Sequence, residues 1–178
     1  MSVANSPETT NFLSPLKFQF FIDKFPNCNF FCQSVSMPNV TLGTSFAPSP
    51  FIKLPIPGDH IEYSEMLITF MIDEKMNNYK EMYDWILGLG FPKDFTQYAN
   101  LAERDRRSKL VTGDSGVIMS DATLFIYNSA SNPNVEMRFL NLFPTNLSDI
   151  AFDLRNNDVE YMEATVGFTF ERFDIIQK

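Results

Sequence analysis

Histidine occurs once in this 178-residue chain and cysteine twice. A tetrahedral metal centre wants three or four nitrogen or sulfur ligands, and His60, Cys28 and Cys32 are the whole supply of those residue types. Two cysteines are also too few for the disulfide framework of a small secreted domain. Long apolar runs are missing: none approaches the roughly 20 residues of a membrane-spanning helix. Met1–Asn11 is polar and carries Glu8, unlike a secretory leader. Basic residues are outnumbered, 14 Lys and Arg against 22 Asp and Glu, for a net charge of -8. A sequence-independent grip on phosphate backbones needs the opposite balance. No glycine-rich loop of the phosphate-cradling kind is present. The expectation is a product of a reducing cytoplasm that holds no cofactor and no metal and touches no membrane.

Phenylalanine is abundant instead, at 19 residues, in a chain that is 44% hydrophobic. That composition belongs to folded protein. Its aromatic excess favours strands and exceeds the need of one small core, which points to buried subunit interfaces. The length suits one domain: residues 1–15 read as a flexible N-terminal arm, and residues 16–178 as a single domain with an insertion loop at about 91–116.

Alternation marks the strands. Phe18, Phe20 and Ile22 alternate with Lys17, Gln19 and Phe21, and Phe30–Val35 returns after a turn at Phe25-Pro26-Asn27. Met37–Asp59 carries five prolines, which suits edge strand or extended loop. Thr41–Phe46 and Phe51–Ile56 are expected as the arms of a long projecting hairpin, with a turn at Pro57-Gly58-Asp59. Ser45, Phe46, Pro50, Phe51, Ile52, Lys53, Leu54 and Ile56 are its candidate inter-subunit residues, because a free edge offers unpaired backbone groups to another chain. Ile61–Ile72 reads as one strand.

One helix is expected next. Asn78 with Glu81 resembles a capping box, Asp73-Glu74 suits the positive helix N-terminus, and Gly88, Gly90 and Pro92 end the helix. Tyr79, Met82, Tyr83 and Ile86 form its apolar stripe, with Trp85 beside it, and that stripe needs a sheet to pack on. Alternation resumes at Ala122–Ile126, Val135–Phe139 and Ala164–Phe170, with a short strand expected at Ile150–Leu154. The fold class is mainly β, a sandwich or half-barrel with one packed helix.

Three features imitate chemistry. Gly113-Asp114-Ser115-Gly116 matches the loop around a trypsin-like nucleophile, and His60 precedes it in the matching order. However, His60 sits in a Pro-Gly-Asp-His turn and Val117 replaces the glycine that normally follows, so a small-residue turn is the better reading. Cys28 and Cys32 lie four apart, which on a strand places both thiols on one face, toward the core. The charged run Arg104–Lys109 is punctuated by Asp105 and lacks the interleaved aromatics of a single-strand platform. It reads as a solvated or inter-subunit loop.

The C-terminal third carries a resemblance. Leu142-Phe143-Pro144-Thr145-Asn146-Leu147 is followed by Ile150-Ala151-Phe152-Asp153, then Asn156-Asn157, then Ala164-Thr165-Val166-Gly167-Phe168-Thr169-Phe170. This resembles the carboxyl end of the T4-like contractile phage tail tube protein family. There a Pro-Thr-Asn turn leads through a short strand and an Asp/Asn loop to a last Val/Thr-rich strand. Ile68–Glu74, the helix with Asp84-Trp85, and the paired segments Lys17–Ile22 and Phe30–Pro38 agree in style. The likeness spans Leu16–Ile175. The chain departs from the family in its more aromatic start, its enlarged Phe91–Gly116 and its long arm.

The resemblance implies a structural, non-enzymatic virion protein, assembled in the host cytoplasm. Its subunits would form homohexameric rings whose sheets join into one β-barrel and whose rings stack. Its partners would be further copies and the tail sheath, baseplate or terminator proteins, with DNA only as passing cargo in the lumen. The same fold serves as repeating inner-tube subunit, as baseplate initiator ring, as tail terminator ring and as secretion-system tube. A Ser115–His60 hydrolase is the rival from another class.

Overall fold

Alternating side chains become one buried sheet face. The computed structural model describes residues 12–13, 15–25, 29, 31–90, 92–107, 119–152 and 161–177. In chain order the elements are β1 (Phe18–Ile22), β2 (Cys32–Ser36), β3 (Val40–Ala47), β4 (Leu54–Tyr63) and β5 (Met66–Met71). Then come α1 (Asn77–Gly90), α2 (Thr96–Arg107), β6 (Ser120–Tyr127), β7 (Pro133–Leu147), β8 (Glu163–Thr169) and β9 (Arg172–Gln177). The architecture is mainly β.

Seven strands form one antiparallel sheet in the order β1-β6-β7-β8-β5-β2, with β9 also on β7. β7 is its spine. Residues of its first half pair with β6 on one side and β9 on the other, and Phe143–Leu147 pair with β8. The change of partner occurs at Asn141, whose φ of 54° turns the strand. Asp121 accepts the Asn141 backbone N–H at 3.1 Å, and the Asn141 amide donates to Glu171. The sheet curls until its two ends, β1 and β2, approach each other without forming a ladder. Asn29 ties the turn after β1 by bonding both the N–H and the C=O of Ile22.

The inner face carries Phe20, Ile22, Ile68, Phe70, Leu124, Phe139, Val166 and Phe168, all buried. Each such side chain contributes about 1.5–3 kcal/mol on burial. α1 buries Met82 and Trp85 with them, while its Asn78 and Gly88 are also buried. Trp85 is central: it stacks on Phe25 at 4.7 Å, meets Phe168 at 6.1 Å, and lies 5.6 Å from the Lys24 ammonium. A second aromatic group, Phe139, Phe170 and Phe173, closes the other end. Much of the phenylalanine is thus spent on the core.

Several expectations need correction. The helix face is rotated from the expected stripe: Met82 and Trp85 are buried, Tyr79 and Ile86 are partly buried, and Tyr83 is exposed. Asn78 is not the cap, since the first helical bond runs from Lys80 N–H to the Met76 carbonyl, so the helix begins earlier. Asn78 instead sews α1 to the end of β5: its amide donates to Met71 O at 2.7 Å, and its oxygen accepts from Asp73 N–H. Asp73 precedes the helix and accepts from the Asn77 side chain at 3.0 Å.

The stretch read as an insertion loop contains α2, whose Leu101 is buried on Gly88. Ile61–Ile72 is two strands broken at Ser64-Glu65, and Pro57-Gly58-Asp59 lies inside β4 rather than at a turn. The Pro-Thr-Asn segment is likewise part of β7, irregular between Pro144 and Asn146. Residues Ile150–Phe152 form no strand, and β9 follows the strand expected to be last. Met1–Asn11, Cys28 and the Gly113–Gly116 loop lie outside the described residues.

Candidate functional site

Among the described residues β3 and β4 pair only with each other, as a two-stranded sheet separate from the main one. Directly opposed residues of an antiparallel pair share a face. Phe46 opposes Pro55, Leu42 opposes Ile61 and Val40 opposes Tyr63 on one face, while Ser45 opposes Ile56 and Ala47 opposes Leu54 on the other. Apolar side chains therefore project from both faces. Midway the ribbon is pinched: β4 carries extra residues opposite Gly43, and Gly58 lies so near that a Cβ on it would stand 2.5 Å from the Gly43 carbonyl oxygen.

The expected interface residues fall together on this arm. Ser45 and Phe46 are on β3, Leu54 and Ile56 on β4, and Pro50, Phe51, Ile52 and Lys53 in the connection. All are exposed. Phe51 is 94% exposed and Phe46 58%, with the Lys53 ammonium 6.0 Å from the Phe46 ring. A lone two-stranded ribbon is marginal in water, and this one leaves its apolar side chains in solvent.

What holds the arm at its base was not foreseen. Ser64 N–H donates to Asn39 O at 2.9 Å, and Asn39 N–H donates to Ser64 Oγ at 2.6 Å. Tyr63 packs on Phe170 and Phe173 at 5.5 and 5.4 Å. Glu65 accepts a hydrogen bond from Thr145 of β7. The interruption of alternation at Ser64-Glu65 was the available signal.

The chemical decoys separate. His60 stands exposed on β4, its Nδ1 2.6 Å from the equally exposed Asp59 carboxylate. A catalytic base is oriented by a buried carboxylate, and this pair has none of that shelter. Cys32 is half-buried against the core, and desolvation pushes its thiol up to about 11. The packing residues Tyr79, Met82, Tyr83, Trp85 and Ile86 all lie on α1, which follows the arm and β5 in the chain.

A long projecting hairpin, a curled sheet and one helix-covered face fit the mainly β architecture that the sequence led us to expect. The sequence profile described as phage tail tube protein matches residues 3–176. The chain belongs to this family. Over 97% of its length it is 22% identical to the tail tube terminator protein of Enterobacteria phage T4, covering 90% of that protein. A solved chain of the anti-feeding prophage cap, the tube-terminating cap, superposes with a TM-score of 0.62 at 16% identity and full coverage of both chains. A chain of the PVC sheath–tube complex, from an extracellular contractile injection system, gives 0.57 at 18% identity, covering 93% of this chain and 92% of that one. These likenesses place the chain in the tail tube fold, and its family relatives are structural proteins.

Proposed function

We propose that this tail tube family protein closes the tube of a contractile tail as a terminator ring. The observation that carries this reading is the near end-to-end match to the T4 tube terminator. The likeness to a tube-terminating cap supports it. The protein's work is assembly, without chemistry. Copies join edge to edge into a homohexameric ring, which relieves the free edges of the open sheet. The arm of one copy, through Ser45–Ile56, reaches the next copy or the ring beneath, burying the apolar side chains that it exposes alone.

DNA passes through the lumen as cargo. The net charge of -8 keeps the wall from holding it, a repulsion that acts within about 8 Å at physiological salt. Sheath and tube proteins are the neighbours, the tail of the virion is the location, and assembly takes place in the host cytoplasm. The second reading is the repeating inner-tube subunit, favoured by the likeness to a sheath–tube complex.

Negative-stain microscopy of the purified protein separates the two. Single rings are expected, and long tubes would overturn the terminator reading in favour of the tube subunit. Deleting Ser45–Ile56 leaves a folded domain that no longer joins its neighbours. Normal rings from that variant would refute the role of the arm.

A further inference from the structure

The arm and the sheet are two parts of one ribbon. β2 pairs with β5 and β3 with β4, so the same two stretches of chain run together through both. Between them, at residues 37–39 and 64–65, the regular ladder lapses and the Asn39–Ser64 backbone bond is what spans the two strands. A ribbon interrupted on both strands swings there unless something holds it.

Glu65 sits in that interruption. Its carboxylate accepts a hydrogen bond from Thr145 Oγ1 of β7, which also lies 3.2 Å from the Gly167 carbonyl of β8. Gly167 is the bare seat beneath the carboxylate: a Cβ there would stand 2.5 Å from the Glu65 carboxyl carbon. Residues 65, 145 and 167 thus join the break to two strands of the main sheet, one of which, β7, makes no ladder with β5. An exposed carboxylate has every reason to turn into water; here it is folded down onto a backbone that lacks a side chain.

We infer that Glu65, Thr145 and Gly167 form a latch that sets the angle of the β3–β4 arm against the sheet and presents the arm ready for assembly. The latch itself stands on the geometry at the break, and its consequence for assembly rests on the proposed role of the arm. A pre-set arm loses less freedom on joining a neighbour than a swinging one.

Hydrogen exchange on the full chain tests this. Glu65→Ala, Thr145→Val and Gly167→Ala are compared with Glu65→Gln and Thr145→Ser, which keep an acceptor and a hydroxyl. The first three are expected to speed exchange at the Asn39 and Ser64 amides and along β3–β4 by about tenfold. The β5–β8 and β6–β7 amides stay unchanged, and the unfolding midpoint moves by less than about 2 °C. The protein concentration at half-assembly rises by about tenfold, and the conservative pair behaves as the parent.

Unchanged exchange in the arm of Glu65→Ala and Thr145→Val would overturn the latch, as would faster exchange throughout the sheet, which marks a general structural role. If the arm loosens while rings form as before, the latch stands and the assembly role of the arm falls. If deleting the arm abolishes rings while the latch variants keep an ordered arm, the latch falls and the assembly role stands.

Discussion

Gly88 on α1 and Leu101 on α2 set two effects of similar size against each other. Replacing a helical glycine by alanine stabilises the helix by about 1 kcal/mol, because the chain has less freedom to lose. At Gly88 the new Cβ would meet Leu101 Cδ2 at 2.8 Å, its Cβ at 3.1 Å and its Cγ at 3.3 Å. The δ-methyl can turn away at about 0.5–1.5 kcal/mol for a poor rotamer. The Leu101 Cβ yields only if α2 shifts, and overfilling a packed site costs about 1–3 kcal/mol.

Crowding wins: Gly88→Ala is expected to destabilise the protein by up to about 2 kcal/mol. In a Leu101→Ala background Cδ2 and Cγ are gone and only the Cβ contact at 3.1 Å remains, so the same substitution should cost less than in the parent. The double-mutant cycle then shows a coupling of about 0.5–1.5 kcal/mol. Urea unfolding reads it directly, since Trp85 is the only tryptophan, fully buried and on the same helix. The slope against urea should not change. A Gly88→Ala protein that gains about 1 kcal/mol, or responds identically in both backgrounds, refutes the packing of α2 on α1.

Two titrations give further checks. Burial holds the Cys32 thiol up at about 11 against an ordinary 9.0, so in a Cys28→Ser variant its alkylation at pH 8 should be roughly a hundredfold slower folded than in urea. The folded state also keeps this proton longer than the unfolded one, so stability falls as pH rises from about 9 to about 11; equal alkylation rates would remove the basis for both effects. Asp23 is raised above the usual carboxylate value by burial and then by the Asp121 charge. Its ionisation therefore opposes folding, and Asp23→Asn should stabilise at pH 7 and do nothing once pH falls well below 3.8. A variant less stable than the parent at pH 7 contradicts this sign.

Strands whose two faces differ were legible before the structure. Phe18-Phe20-Ile22 and Ala164-Val166-Phe168 announce β1 and β8, because burial on one face requires alternation. α2 was hidden because its apolar contribution to the core is mainly Leu101, set in a strongly polar and charged stretch. The prolines and Pro-Gly-Asp of β4 imitate a turn, yet a ribbon with free edges accommodates them. The helix face was misplaced by one position because Asn78 is buried through three backbone partners, Met71, Asp73 and Tyr79, and no hydropathy pattern marks such an asparagine as interior. The arm was visible as a proline-rich apolar stretch. Its moorings were not, since Tyr63–Phe170 and Glu65–Thr145 join residues far apart in the chain, and single-strand periodicity carries no record of such contacts.

The place of β1 at the end of the sheet also sets a timetable. Phe18 faces Ile126, so β1 leaves the ribosome with its ladder partner about a hundred residues behind it. At about 5–20 residues per second, Phe18, Phe20, Phe21 and Ile22 wait roughly 5–20 s for β6 to be made. During translation the nascent chain therefore presents its most aromatic strand unpaired, and the strands that link the two ends of the sheet are complete only once the last third has been synthesised. A chaperone acting on this protein would find its task there, at the first strand, well before any ring exists.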